Sequence, residues 1–282
     1  MRGRLILSKE RAFKVFAKPE LQSSALVISW SQDAGKVGPK VTDYLNRKLE
    51  GREFAEINPI GFFPLGGVSV EDDVAQFPES KFYYCQEKGL VVFKSDIPGS
   101  EWYEFLNLVL DVAEDYCKAK EFYIIGGMVS PGAHTTPRVL LSVANSVATK
   151  GLLTQYDLIT DMNYETPDGQ RPTLSSFLLW IAKRRKIAGV SLWVPVPFYL
   201  ISTEDPRAWK KVTEFLDRRF GLGIDFTDMD EEVVKQNNKI AQLRSQFPEL
   251  DGYINRLESN LSLTVDESEK LVKGMEEFLG RY

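Results

Sequence analysis

The chain has 282 residues, 43% of them hydrophobic and 27% charged, which excludes a disordered polypeptide and leaves enough apolar surface for a substantial core. Its 40 acidic residues outnumber its 35 basic ones, and the net charge of -5 excludes the broad positive field that a nucleic-acid-binding protein needs. With 2 cysteines and 1 histidine in no ligand spacing, the sequence predicts no metal site and no cofactor.

The amino-terminal residues lack the features of a targeting segment. Arg2, Arg4 and Lys9 interrupt the apolar residues that a secretion signal would keep together. No stretch approaches the roughly 20 apolar residues of a transmembrane helix. The sequence therefore predicts a cytoplasmic protein with no membrane partner, in which Cys85 and Cys117 are reduced, buried thiols.

The first half of the chain alternates strand and helix patterns. Residues 25–30 form a continuous apolar run, typical of a buried strand, and Gly35 and Gly38 predict a turn after it. A helical pattern then begins near Pro39 and ends at Gly51. Further strands are predicted at residues 55–60, 82–85, 90–93 and 121–125, and an amphipathic helix at residues 102–116.

The second half continues the alternation before it becomes helical. The patterns predict a partly extended segment at 139–148, a helix through 177–181, a strand at 188–194 and a helix from Asp205-Pro206. Strands that recur between helices predict a three-layer α/β/α sandwich with a mixed, largely parallel sheet. Strand patterns stop near Gly223, so we expect a sandwich domain at residues 1–223 and a helical extension at residues 224–282.

The carboxyl-terminal extension carries apolar residues three and four positions apart, as in a coiled-coil seam. Pro248 fits a first turn but breaks a helix interior, so it predicts either two helices that meet near Phe247 or one kinked helix. The seam either packs back on the sandwich or pairs with another subunit, and the sequence leaves both open. The candidate interface residues are Leu243, Phe247, Leu250, Ile254 and Leu257.

The turn after the first strand has the composition of a phosphate-binding loop, in which glycines let backbone amides approach an anion. Asp33, Gly35 and Gly38 are its candidate ligand-binding residues. The P-loop spacing is not met, because Trp30 and Val37 stand where that motif has a glycine and a hydroxyl residue. A structural strand-to-helix turn is the main interpretation, with anion binding as the alternative.

A second candidate site is the loop at residues 126–138, which follows a predicted strand and holds the single histidine. Ligands of open α/β sheets collect beyond the carboxyl ends of strands, and there His134 and Arg138 could bind an oxyanion. No serine, cysteine or carboxylate nearby completes a triad or dyad pattern. The sequence therefore assigns no catalytic residue, and a hydrogen-bonded structural histidine is the main interpretation.

Several of these stretches occur in one order along the chain: residues 26–38, 126–138, 176–185 and 189–199, followed by the segment that begins at Asp205. Together they resemble the proteasome assembly chaperone family, in its prokaryotic branch. The resemblance covers roughly residues 20–260 and includes no catalytic motif.

The resemblance implies a fold, an assembly and a function. The fold is an α/β/α sandwich similar to that of nucleoside phosphorylases, and the assembly is a homo-oligomer of trimer size or larger. The function is that of a non-catalytic scaffold or assembly chaperone, with proteasome-like α-subunits as partners. The alternative is an enzyme or binding protein related to nucleoside phosphorylases, in which His134 and Arg138 contact a nucleoside or an anion.

Overall fold

The computed structural model describes residues 12–63, 69–163 and 165–280. Within these ranges the chain forms one eight-stranded sheet, a separate two-stranded hairpin and eight α-helices. The strands are β1 (Phe13–Val15), β2 (Ser24–Trp30), β3 (Arg52–Ile57), β4 (Ser69–Glu71), β5 (Val74–Gln76), β6 (Ser80–Cys85), β7 (Leu90–Ser95), β8 (Ala119–Ser130), β9 (Leu141–Ala144) and β10 (Ala188–Pro197). The helices are α1 (Val37–Lys48), α2 (Trp102–Cys117), α3 (Val147–Leu153), α4 (Leu174–Arg185), α5 (Pro206–Phe220), α6 (Thr227–Gln246), α7 (Pro248–Glu258) and α8 (Val265–Leu279).

The main sheet is mixed, with the order β1-β3-β6-β7-β2-β8-β10-β9. Its centre, from β7 through β2 and β8 to β10, is parallel, and the strands on both flanks are antiparallel. All seven residues of β2 are buried, because a central parallel strand is covered on both faces. The predicted α/β sandwich is confirmed.

Two hydrophobic clusters fill the space on either side of the sheet. One lies beneath α2 and α4 and contains Phe105 and Leu178. The other lies beneath α1 and α5 and contains Leu45 and Phe215. The sheet is therefore the middle of three layers, and the carboxyl ends of its parallel strands are free to present loops.

The carboxyl-terminal helices belong to the second of these clusters. Helix α6 ends at Gln246 and α7 begins at Pro248, so of the two arrangements that Pro248 predicts the chain takes two helices that meet at Phe247. Leu243 and Ile254 are fully buried in the cluster that the sheet, α1 and α5 share. The predicted boundary at residue 223 thus falls between α5 and α6, but side chains on both sides of it contribute to one core.

Burial separates the five predicted interface residues into two groups. Leu243, Ile254 and Leu257 are covered by side chains of their own chain. Of the two arrangements that the sequence leaves open, these three residues therefore take the one in which the seam packs back on the sandwich. Leu250 is partly buried and Phe247 is 46% exposed. Contact with a second subunit therefore stays a prediction for these two side chains, since the other three are inaccessible in this fold.

None of the described helices is long and apolar enough to cross a membrane.

Candidate functional site

The two loops that the sequence singles out lie side by side. Strands β2 and β8 are parallel neighbours, so the turn after β2 and the glycines near the end of β8 meet at one edge of the sheet. Asp33 joins them: its Oδ1 accepts a hydrogen bond from the Gly127 N–H and its Oδ2 accepts one from the Gly38 N–H, both at 2.6 Å. The carboxylate thereby ties the start of α1 to β8.

The chain's own carboxylate takes the position that the sequence offers to an anion. Gly38 lies in the first turn of α1, where backbone N–H groups and the helix dipole favour a negative charge, and Asp33 supplies that charge. The glycines are required by close packing: a Cβ on Gly127 would lie 2.1 Å from the Ala34 carbonyl oxygen. At Gly35, where φ is +65°, a Cβ would lie 2.9 Å from Val196 Cγ1. These contacts favour the structural interpretation of the turn.

The environment of Asp33 also changes its acidity. Burial raises the pKa of this carboxyl to about 6, although hydrogen bonds from the backbone N–H groups of Gly38 and Gly127 act in the opposite direction. A proton on Asp33 would remove one of the two acceptors that hold the turn against β8. Because the pKa is raised, the folded chain binds this proton more tightly than the unfolded chain does, so burial of the neutral form outweighs the loss of that acceptor.

His134 is buried, with 5% of its surface exposed, and Tyr199 is its hydrogen-bond partner. The Tyr199 hydroxyl oxygen accepts a hydrogen bond from the His134 backbone N–H at 2.6 Å and lies 2.9 Å from Nδ1 of the ring. Burial lowers the pKa of His134 to about 4; Glu258 opposes this shift, and Arg244 and Arg138 add to it. The ring is therefore neutral at pH 7 and offers no positive charge to an anion.

Arg138 is engaged by its own chain. Its side chain is 5% exposed, and both Nε and Nη2 donate to Oδ2 of the fully buried Asp205, at 3.0 and 2.9 Å. Nη1 donates to the Thr136 carbonyl oxygen at 2.6 Å. Oδ1 of Asp205 caps α5 by accepting the Ala208 N–H at 3.1 Å. Arg138 thus connects the loop to the start of α5, and these guanidinium donors are already used.

The carboxyl-terminal helices cover the same loop through a polar cluster. Thr135 donates to Glu258 of α7 at 3.2 Å, and Arg244 of α6 donates to Glu258 at 3.0 Å and to Asp251 at 2.6 Å. A groove of about 560 Å³ lies next to this contact, between residues 129–132 and residues 257–263. Its lining includes neither His134 nor Arg138, so the structure places the two predicted ligand residues outside it.

Sequence reasoning missed the partners that decide what this loop does. Asp205 was recognisable as a helix start but not as the partner of Arg138, which is 67 positions away. Tyr199 and Glu258 gave no signal, because a hydrogen bond between distant segments leaves no pattern in the sequence.

The thiols of Cys85 and Cys117 are free and buried, as predicted, and burial raises their pKa values to about 11 and about 12. Both thiols are therefore protonated and unreactive at pH 7.

The comparisons with known proteins agree with this fold. The family model described as the PAC2 family matches residues 28–244. The chain belongs to the PAC2 family. This confirms the prediction of a proteasome assembly chaperone family member. No curated protein matches the chain.

Solved structures share the fold of this PAC2 family member at low sequence identity. A Corynebacterium glutamicum protein of unknown function superposes with a TM-score of 0.72 at 16% identity, over 89% of this chain and 96% of its own. A proteasome-assembly chaperone homologue from Mycobacterium tuberculosis gives 0.66 at 18% identity, over 82% of this chain and 99% of its own. PbaB of Pyrococcus furiosus, an archaeal proteasome activator, gives 0.66 at 20% identity, over 83% and 99%.

The helical extension of this PAC2 family member has a groove on its surface. The groove, of about 760 Å³, runs along α6 and is lined by Val234, Lys235, Lys239 and Phe278 among others. Val234 is 56% exposed, and the Phe278 ring meets the exposed Phe247 edge to face at 6.4 Å. Exposed apolar side chains next to charged ones are typical of protein-binding surfaces.

Proposed function

We propose that this chain is a non-catalytic scaffold of the cytoplasm that binds protein subunits, an assembly chaperone that acts as a homo-oligomer on proteasome-like α-subunits. Membership of the PAC2 family supports the proposal. So do two structural relatives, one described as a proteasome-assembly chaperone homologue and one as a proteasome activator. We infer an oligomer of three or more subunits from the same resemblance.

One observation in the chain itself carries the proposal. Arg138, the cation that would hold an anionic substrate, makes an ion pair with Asp205, and both side chains are almost completely buried. His134 is neutral and bonded to Tyr199. The two groups that the enzyme hypothesis needs are therefore engaged in the fold, whereas Val234 and Phe247 are exposed to solvent.

A binding experiment with purified proteasome α-subunits tests the proposal. The intact chain is mixed with free α-subunits and, separately, with assembled α-rings, and complexes are measured by light scattering after size exclusion. We expect a complex with the free subunits at about 10 μM. A Val234→Asp variant should lose it if the α6 groove is the binding surface, and a Val147→Asp variant, at an exposed position on α3, should keep it.

A negative result has a defined meaning. If neither free subunits nor rings bind at about 100 μM, the chaperone proposal fails. The enzyme alternative is tested in parallel by adding inosine or inorganic phosphate at millimolar concentration and following Tm. Binding to the native state must raise Tm, so a rise that the folded Arg138→Met/Asp205→Ser variant no longer shows would favour the alternative over our proposal.

A further inference from the structure

The hairpin of β4 and β5 is separate from the main sheet. Its two strands are joined by Asp72 and Asp73, whose φ angles of 49° and 62° give the two-residue left-handed turn that closes tight hairpins. Val70 pairs with Ala75 across the hairpin, and Phe77 continues that side one residue beyond the strand. One side of the hairpin is therefore apolar, and its turn is acidic.

Among the residues that the structure describes, this apolar side belongs to neither hydrophobic cluster. Val70 is 69% exposed and Phe77 is 64% exposed, values typical of surface side chains. An isolated two-stranded hairpin is marginally stable in water, because it buries too little apolar surface to offset the ordering of its backbone. The hairpin therefore has the properties of an element that gains stability when another surface covers it.

The outer side of α4 has the complementary composition. Phe177 and Trp180 stack with ring centroids 5.4 Å apart and an interplanar angle of 12°, and the Arg184 guanidinium lies 5.2 Å from the centre of the Trp180 ring. Trp180 is 46% exposed. Tryptophan and arginine are the side chains that most often dominate binding energy at protein interfaces. The two rings are already stacked in the single chain, so fewer side chains have to be ordered when a partner binds.

The charges on α4 are also available to a partner. Arg185 forms ion pairs with Asp111 and Glu114 of α2, but Lys183 and Arg184 form no salt bridge with any described residue. Asp72 and Asp73 likewise have no salt bridge within the described part of the chain. An exposed acidic turn with an apolar side and an exposed basic helix with an aromatic side are thus present on the same molecule, and no salt bridge among the described residues joins them.

We propose that the β4–β5 hairpin of one copy docks on the outer side of α4 of a second copy. The inference rests on the homo-oligomer of the proposed function and names the surfaces that build it. Asp72 and Asp73 would face Lys183 and Arg184, and the apolar side of the hairpin would cover the Trp180 stack. The contact joins two different surfaces, so in a ring of three or more each copy gives its hairpin to one neighbour and receives the other neighbour's hairpin on α4.

Charge reversal in the full chain tests this pairing. The hairpin variant is Asp72→Lys/Asp73→Lys, and the helix variant is Lys183→Glu/Arg184→Glu. Lysine already adopts positive φ at Lys36 in this protein, so it fits the hairpin turn. Light scattering over a concentration series should show association weakened about 100-fold in each variant, because like charges then oppose each other. The four-fold variant that carries both reversals should recover the wild-type mass.

The remaining outcomes separate this inference from the proposed function. A Lys120→Glu/Lys273→Glu control, at two exposed lysines elsewhere, should keep the wild-type mass, and Tm should show that every variant is folded. An oligomeric wild type that neither reversal dissociates overturns the pairing but leaves the scaffold proposal standing. Two dissociated variants whose combination stays dissociated also overturn it. A wild type that is monomeric at every concentration overturns the homo-oligomer itself, and the pairing with it.

Discussion

The carboxyl-terminal helices and the β4–β5 hairpin both carry apolar side chains outside the central parallel strands, yet the fold treats them in opposite ways. In the helices, Leu243 and Ile254 are fully buried. In the hairpin, Val70 and Phe77 are 69% and 64% exposed. The stronger apolar pattern in the sequence therefore belongs to an intrachain contact, and the weaker one belongs to side chains that are exposed in the folded chain. An apolar stripe shows that a surface needs cover but does not show what covers it.

Polar contacts reinforce the difference between the two regions. Arg244 and Glu258 connect α6 and α7 to each other, and Thr135 connects them to the loop after β8. The acidic turn at Asp72 has no such connection among the described residues. The helices are therefore held both by burial and by hydrogen bonds, whereas the apolar side chains of the hairpin are exposed and its acidic turn has no salt bridge to a described residue.

The largest expected effect is at Ile254. An aspartate there would bury a charge without a partner, so we expect Ile254→Asp to lower the free energy of unfolding by at least about 4 kcal/mol. Phe247→Asp, on the same helical layer but 46% exposed, is the matched control and should cost less than about 1 kcal/mol. Urea denaturation followed by circular dichroism measures both. A stably folded Ile254→Asp protein would show that the extension is an independent unit that begins after residue 223.

The ion pair between Arg138 and Asp205 gives the next largest expected effect on stability. Arg138→Ala leaves Asp205 charged, fully buried and unpaired, so we expect a loss of about 3–5 kcal/mol in the free energy of unfolding. Arg138→Met/Asp205→Ser removes both charges and retains a cap for α5, and it should recover much of that loss. If Arg138→Ala costs less than about 1 kcal/mol, Arg138 does not brace the loop, and an anion-binding role regains support.

His134 in this loop and Asp33 in the neighbouring turn also make stability depend on pH, in opposite directions. The pKa of His134 is about 4 in the folded chain against 6.5 ordinarily, so the unfolded state binds the extra proton in this window and stability falls as pH falls. The pKa of Asp33 is about 6 in the folded chain against 3.8 ordinarily, so there the folded state binds the extra proton and stability rises as pH falls. In the wild type the two contributions largely cancel between pH 4 and 6.

Replacing either His134 or Asp33 should expose the pH dependence of stability that the other group contributes. Relative to wild type, His134→Asn should become more stable as pH falls from 6 to 4.5, and Asp33→Asn should become less stable, each by about 1.4 kcal/mol per pH unit. Urea midpoints at several pH values, compared with wild type, measure the two slopes. Parallel slopes in both variants would mean that neither group titrates with a shifted pKa.

The fold was more predictable than the site, for physical reasons that particular residues show. Strand β2 could be predicted because burial on both faces demands an unbroken apolar run. The helix start at Pro248 could be predicted because proline fits a first turn but not a helix interior. The hairpin was not predicted, since strands of three residues are too short to show alternation. The pairing of Arg138 with Asp205 was also hidden, because contacts across 67 positions depend on the finished topology.

The smallest expected effect is in the hairpin and completes the comparison. Val70→Ser/Phe77→Ser replaces side chains that are exposed in the folded chain, so in dilute, dissociated protein it should change the free energy of unfolding by less than about 0.5 kcal/mol. At high concentration the same variant should lose stability relative to wild type, because self-association that buries the hairpin stabilises only the folded wild type. Urea titrations at low and high protein concentration distinguish the two regimes. A loss above about 2 kcal/mol in dilute protein would show that the hairpin packs against its own chain, as the carboxyl-terminal helices do.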